Sequence, residues 1–81
     1  MDDETVITDR AMFVKGENLA LLSLTIIGER GVVIKVDSRQ AQPHGVIFNS
    51  SFEAIEAFQN AVDKTSERGW RLVHKGKPNV G

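Results

Sequence analysis

The sequence predicts a small α+β domain, in which an antiparallel four-stranded meander precedes one amphipathic helix (ββββα) and a short fifth strand is an option. Two observations predict this fold. Apolar runs with a two-residue alternation fill the first half of the chain, and a helix-capping motif opens a stretch with helical periodicity in the second half. Eighty-one residues suffice for one hydrophobic core rather than two. We therefore expect a single domain.

The first two strands are predicted at residues 11–15 and 19–27, with turn residues between them. In the second strand the even-numbered side chains share one face and the odd-numbered ones share the other. Both faces are mainly apolar, although a half-buried strand needs only one apolar face. The strand is thus either central and covered on both sides or part of a dimer interface. The short chain favours a homodimer.

Residues 28–31 predict a tight turn, with Gly28 and Gly31 available for a positive φ if the turn requires one. The third strand then alternates over residues 32–37, which predicts a core face and a solvent face. The predicted core face is Val32, Ile34 and Val36. The predicted solvent face carries Lys35 with Val33 and Asp37, joined across the hairpin by Ser23 and Thr25.

A polar loop over residues 38–44 leads to a fourth short strand at residues 45–48. Ser50 followed by Glu53 forms a capping-box pattern, which predicts the start of a helix. Gly69 predicts its end, and Trp70 is expected to pack under that end, ahead of an optional strand over residues 70–73. The predicted core stripe of the helix is Phe52, Ala54, Ile55, Phe58, Ala61 and Val62.

Charge is distributed unevenly along the chain, although the formal net charge is only −1. Residues 1–9 contain only acidic charges and are predicted to be a flexible acidic N-terminus. Residues 10–74 form the predicted domain, and residues 75–81 form a predicted flexible basic tail. The acidic start does not resemble a secretory signal and no apolar run is long enough to span a bilayer, so we expect a cytoplasmic protein without membrane contact.

Catalytic and metal-binding patterns are absent from the sequence. It contains no cysteine, and its two histidines, His44 and His74, stand thirty residues apart without partners at metal-ligand spacing. There is no nucleophile elbow and no phosphate-binding glycine loop. We therefore expect neither enzyme activity nor a cofactor, unless His44 and Asp37 converge in a cavity.

Basic side chains on the strands and loops are the candidate binding residues. A lysine beside hydroxyl groups on a sheet face suits contacts with backbone phosphates, although a solvent-facing strand can have the same composition. The acidic outer side of the helix would repel phosphate, which directs a nucleic acid to the sheet or the loops. The predicted phosphate-contacting residues are Lys15, Arg30, Lys35 and Arg39, assisted by Arg71, Lys75 and Lys77.

The segment from Met12 to about Val62 resembles the single-stranded-DNA-binding domain of the transcriptional positive cofactor four family, which is related in architecture to the Whirly proteins. The matching features are Phe13 and Gly16 in the first strand, the hairpin around residues 28–31, and residues 45–49 (GVIFN) before the helix cap. The resemblance implies a curved sheet, a helix-mediated homodimer and binding of unpaired strands on the sheet face. This chain departs from the family in having few basic residues on its strands, and it lacks the proline and the early tryptophan of the family's helix.

Two functions therefore stay open at this point. The first is a small dimeric module that binds single-stranded DNA or RNA or is associated with transcription and its regulation. The second is a small protein-interaction module, regulatory or of a phage accessory type, that binds a protein through a strand edge, through the apolar strand or through the acidic helix face. Clustering of Lys15, Lys35 and Arg39 on one concave sheet face would favour the first function, and scatter would favour the second.

Overall fold

The computed structural model describes residues 6–76. It contains β1 (Val6–Lys15), β2 (Asn18–Ile27), β3 (Arg30–Asp37), β4 (His44–Phe48), α1 (Ser51–Glu67) and β5 (Arg71–Gly76). The predicted flexible ends, residues 1–9 and 75–81, lie partly outside the described residues. Lys77, predicted to assist in binding, lies entirely outside them. Within the described part, β1 begins earlier and β5 ends later than the sequence predicted.

The five strands form one antiparallel sheet in the order β4-β3-β2-β1-β5. This arrangement confirms the predicted α+β class, the meander and the optional fifth strand. The helix leaves β4 at one edge of the sheet and returns the chain to β5 at the other edge, so it must cross one face. We call that face of the sheet the inner face and the opposite one the outer face.

Both hairpins of the meander close with two-residue loops that begin with glycine. Lys15 pairs with Asn18 around the first loop, and Ile27 pairs with Arg30 around the second. Gly16 and Gly28 have φ values of 62° and 61°, as type II′ turns require at their first central position. Because this turn matches the twist of the strands, it fixes the register of both hairpins.

The helix begins and ends where the sequence predicted. The amide of Glu53 donates to the hydroxyl of Ser50, which satisfies one unpaired donor at the N-terminus. At the other end Gly69 has a φ of 95°, its amide donates to Ser66, and the amide of Trp70 donates to Thr65. These bonds form a Schellman motif, which places Trp70 beneath the last helical turn as expected.

The hydrophobic core lies between α1 and the inner face. Phe13 from β1 and Phe58 from α1 are the largest fully buried side chains. Even-numbered residues of β2, which share one face as predicted, fill the middle of the core, and Trp70 lies at one end of it. The buried apolar residues are Ala11, Phe13, Ala20, Leu22, Leu24, Ile26, Ala54, Phe58, Val62 and Trp70.

The predicted orientation of β3 is wrong. Val33 pairs with Leu24 and Asp37 pairs with Ala20, so the odd-numbered residues of β3 share the inner face with the core of β2. Val32, Ile34 and Val36, which were predicted as the core face of β3, instead lie on the outer face. Ser23 and Thr25 therefore accompany these outer residues, whereas Lys35 is opposite Leu22 on the inner face. The alternation was misleading because the more apolar side of β3 faces outward, whereas the inner side carries Lys35 and Asp37 at the end of the strand.

Two residues of the predicted helix stripe are not in the core. Phe52 is 70% exposed and Ile55 is 43% exposed, whereas Ala54, Phe58 and Val62 are buried. At about 100° per residue, Phe52 is turned by about 120° and Ile55 by about 60° from Phe58. The stripe that contacts the sheet is therefore narrower than the apolar half of the helix. Within residues 6–76, no helix has the length and apolarity needed to cross a membrane.

The close approach of α1 to β3 at Gly31 leads to a first testable prediction. A Cβ atom added at Gly31 would overlap the Cβ of Ala54 and crowd Ile26. We expect Gly31→Ala to force the helix away from β3 and to lower the free energy of unfolding by about 1–3 kcal/mol, as measured by urea denaturation.

Gly45→Ala is the matched control. Gly45 also lies in a strand, and an added Cβ there would meet only Ile34 at an ordinary 3.8 Å. We expect this control to change stability by no more than about 0.5 kcal/mol. Equal effects of the two variants would contradict the close packing of α1 on Gly31.

Candidate nucleic-acid interface

A surface cavity of about 230 Å³ lies at the end of the sheet that carries the β1–β2 turn. The antiparallel order brings the end of β1, the start of β2 and the end of β3 to this end of the sheet, and α1 also ends here. Four basic side chains contribute to the wall, together with one carboxylate, one hydroxyl and one indole. The lining residues are Lys15, Ala20, Lys35, Asp37, Arg39, Thr65, Arg68 and Trp70.

Asp37 and Arg39 form a hydrogen-bonded ion pair in the cavity. Arg39 Nη2 lies 2.7 Å from Asp37 Oδ2, and Arg39 Nε lies 3.0 Å from Asp37 Oδ1. The backbone amide of Arg39 also donates to Asp37 Oδ1 at 2.9 Å. Such a bidentate pair orients the guanidinium plane. Its carbon lies 5.0 Å from the centre of the Trp70 ring, within the range of a cation–π contact.

Asp37 is the charged residue that the fold places inside, with only 3% of its surface exposed. Side-chain hydrogen bonds from Arg39, together with the bond from its backbone amide, lower the pKa of Asp37 from the ordinary 3.8 to about 2 against the opposing effect of burial. The carboxylate is therefore charged at neutral pH. Its charge is directed to Arg39, which it holds over Trp70.

Lys15 connects the end of β1 to the end of the helix. Its Nζ donates to the carbonyl oxygen of Arg68 at 2.9 Å, where the partial negative charge of a helix C-terminus favours a cation. Gly69 follows directly, and a Cβ there would lie 3.7 Å from Lys15 Nζ. The ammonium group is thus positioned at the rim of the cavity.

The cavity has an excess of positive charge. Its four cations and one carboxylate give a formal charge of +3, although the whole chain has a net charge of −1. Among the described residues, neither Lys35 nor the guanidinium of Arg68 has an ion-pair partner. These two cations and Lys15 are therefore available to an anion, with the hydroxyl of Thr65 nearby as a further donor.

Three of the four predicted phosphate-contacting residues lie together in this cavity. Lys15, Lys35 and Arg39 all line it, although they lie on the helix side of the sheet rather than on the open face that the sequence suggested for Lys35. Arg30 is not part of the group. It begins β3 beside the β2–β3 turn, at the opposite end of the sheet.

Sequence reasoning missed Arg68 and Thr65 as members of this site, and it placed Trp70 in the core without connecting it to the basic residues. The missing information was the position of the helix end relative to the strands. A signal was present in the order of elements, because the helix must deliver the chain to β5 beside Val14, near Lys15. Arg68 and Trp70 flank the glycine that ends the helix, so this topology brings both to the cavity.

The other residues considered for function are elsewhere. Arg71 is opposite Val14 on the outer face. Lys75 lies on the inner face, where its Nζ is 3.9 Å from Asp9 Oδ2. His44 pairs opposite Lys35 but does not line the cavity around Asp37. Within residues 6–76, no group of three or more histidine, aspartate or glutamate side chains is placed to hold a metal ion.

Comparisons with known proteins give no relative. No protein-family model matches the chain, and neither a curated protein nor a solved structure is significantly similar to it. The resemblance to the positive cofactor four family therefore stays a prediction.

The Asp37–Arg39 ion pair leads to a prediction of how the stability of the fold depends on pH. Because the pKa of Asp37 is about 2 in the folded chain and about 3.8 in an unstructured one, its charge stabilises the fold above about pH 4. This contribution is lost as the pH falls through 2. We expect Asp37→Asn to lower the thermal midpoint at neutral pH, and the difference from the wild type to shrink between pH 4 and pH 2.

Asp63→Asn makes the same chemical change at an exposed position of α1 and serves as the control. It should leave the thermal midpoint nearly unchanged at neutral pH. A destabilisation by Asp37→Asn that stays constant down to pH 2 would mean that the lost charge is not its cause.

Proposed function

We propose that this chain is a small nucleic-acid-binding module that holds the backbone of single-stranded DNA or RNA, in a transcription-associated role. The observation that carries the proposal is the convergence of four basic side chains, from β1, β3, the following loop and the end of α1, on one cavity. Phosphate contacts supply most of the affinity of sequence-tolerant nucleic-acid binding. Convergence of cations in an otherwise slightly acidic chain supports such a role.

The distribution of charge supports a local mode of binding. Exposed acidic residues follow the outer side of the helix, including Glu53, Glu56 and Asp63. A phosphate backbone would be repelled there and attracted to the end of the sheet, where the cavity lies. The bound nucleic-acid strand would therefore cross the protein at the C-terminus of α1 and would contact Lys35 and Arg68 first.

The size of the cavity indicates which part of a nucleotide it accepts. About 230 Å³ is smaller than the pockets that enclose drug-sized ligands, and Trp70 is buried beneath Arg39 rather than presented as a stacking platform. A phosphate group and part of its sugar fit these conditions better than a base. We therefore expect binding that is weak, tolerant of sequence and sensitive to salt.

Fluorescence anisotropy of a labelled oligothymidylate, measured at a series of salt concentrations, tests this proposal. We expect binding at low salt that weakens as salt is raised. Three or four phosphate contacts predict a slope of log affinity against log salt of roughly −2 to −3. Lys35→Glu should abolish most of the binding, and the milder Lys35→Gln should reduce the slope by roughly 0.7.

Arg30→Glu is the matched control, because it makes the same change of charge at the opposite end of the sheet. It should retain nearly all of the affinity. Equal losses for Lys35→Glu and Arg30→Glu would indicate a response to net charge alone, and no binding of the wild type at low salt would overturn the proposal.

A second candidate function, a protein-interaction module, is favoured by a different observation. Phe52 and Ile55 are exposed at the start of α1, beside Glu53 and Glu56, and apolar groups among acidic ones suit a basic protein partner. In affinity capture, Phe52→Ser should then lose a partner that Lys35→Glu retains. Loss of the captured protein with Lys35→Glu instead would assign it to the cavity.

A further inference from the structure

The outer face of the sheet is apolar and has no cover among the described residues. Nine apolar side chains occupy it across four neighbouring strands, and their exposure reaches 72% at Ile47. Ser23, Thr25 and Gly45 lie between them. A continuous apolar surface of this extent is uncommon on a monomer. We call this set the outer apolar patch: Met12, Val14, Leu19, Leu21, Ile27, Val32, Ile34, Val36 and Ile47.

The width of the patch limits what can cover it. Four strands spaced by about 4.8 Å are roughly 19 Å wide, whereas a helix with its side chains is about 10–12 Å across. On the inner face, α1 contacts chiefly β2 and β3 and leaves Val46 on β4 exposed. One helix of a partner would likewise cover about half of the patch, whereas a second sheet would cover all of it.

The area of the patch is sufficient for a dimer. Eight residues of strand at about 3.3 Å each and a width of roughly 19 Å give a flat footprint of about 500 Å² per copy. The relief of the side chains raises the accessible area further, so two copies would bury on the order of 1,200 Å² or more. That value reaches the lower end of the range for stable protein–protein interfaces.

The charges around the patch are compatible with a second copy in one orientation. The outer face has Arg10 on β1 and Arg71 and His74 on β5 at one side, and Arg30 at the start of β3; none of its described side chains is acidic. A two-fold axis parallel to the strands and between β2 and β3 would place β1 of one copy over β4 of the other and leave β5 beyond the edge. The basic side chains of β5 would then lie apart at opposite rims, and both Arg30 side chains would lie at the end of the interface, exposed to water.

We propose that the outer apolar patch binds a second copy of this chain, face to face and aligned to within about 30°, around a two-fold axis near Ser23 and Ile34. This dimer differs from the helix-mediated one that the family resemblance implies. It buries the sheet face and leaves both cavities accessible on the outside. The inference is independent of the proposed function, because a monomer can still bind a strand in its cavity.

The molar mass of the full chain, measured by light scattering after size exclusion over a range of concentrations, tests the dimer. The wild type should have twice the 8.9 kDa mass of one chain. Val36→Lys should restore the single mass, whereas Ile55→Lys should leave the dimer intact. The two positions are matched, at 42% and 43% exposure, and only Val36 lies in the patch.

Circular dichroism would show whether Val36→Lys retains the fold, and a second variant makes the test independent of that result. The chain has no cysteine, so Ser23→Cys introduces a single thiol close to the proposed axis. A short thiol cross-linker should give a two-chain product with Ser23→Cys and little product with Gln59→Cys on the exposed side of α1. A wild type that stays at 8.9 kDa, or a dimer cross-linked through position 59 instead of 23, would overturn the inference.

Discussion

The structure depends on the way in which one helix covers a five-stranded sheet. A helix spans about two strands, so α1 buries the middle of one face and leaves the other face open. Gly31 allows this packing, because the absence of a side chain lets Ala54 approach the sheet directly. The location of the core, of the cavity and of the exposed apolar patch all follow from that one contact.

The cavity is formed where this coverage ends. At its C-terminus α1 stops before the sheet ends, and polar groups that the helix no longer covers need hydrogen-bond partners. Lys15 donates a hydrogen bond to the carbonyl oxygen of Arg68. Arg39 donates to the carboxylate of Asp37, which takes an inner position that an apolar residue would otherwise fill. A basic site thus arises from side chains that also complete the edge of the core.

Much of the fold was predictable because it is encoded locally. The glycines of the hairpin loops, the Ser50 cap and Gly69 each determine a backbone conformation within a few residues, and the elements they bound were found. The faces of β3 were not predictable, since the register with β2 turns its more apolar side, Val32, Ile34 and Val36, away from the helix. Phe52 was misassigned for a similar reason, because helical periodicity gives the direction of a side chain but not the width of the sheet beneath it. The site was half predictable: Lys15, Lys35 and Arg39 were identified as basic strand and loop residues, whereas Arg68 joins them only through tertiary structure.

A map of amide chemical shifts during titration with a short oligothymidylate would test whether a phosphate backbone binds at the end of α1. We expect the shifts to concentrate on Lys35, Asp37 and Thr65, together with the indole N–H of Trp70, the single tryptophan of the chain. Shifts that concentrate instead on Ser23 and Ile34 would place the strand on the outer face and would contradict both the location of the site and the proposed dimer.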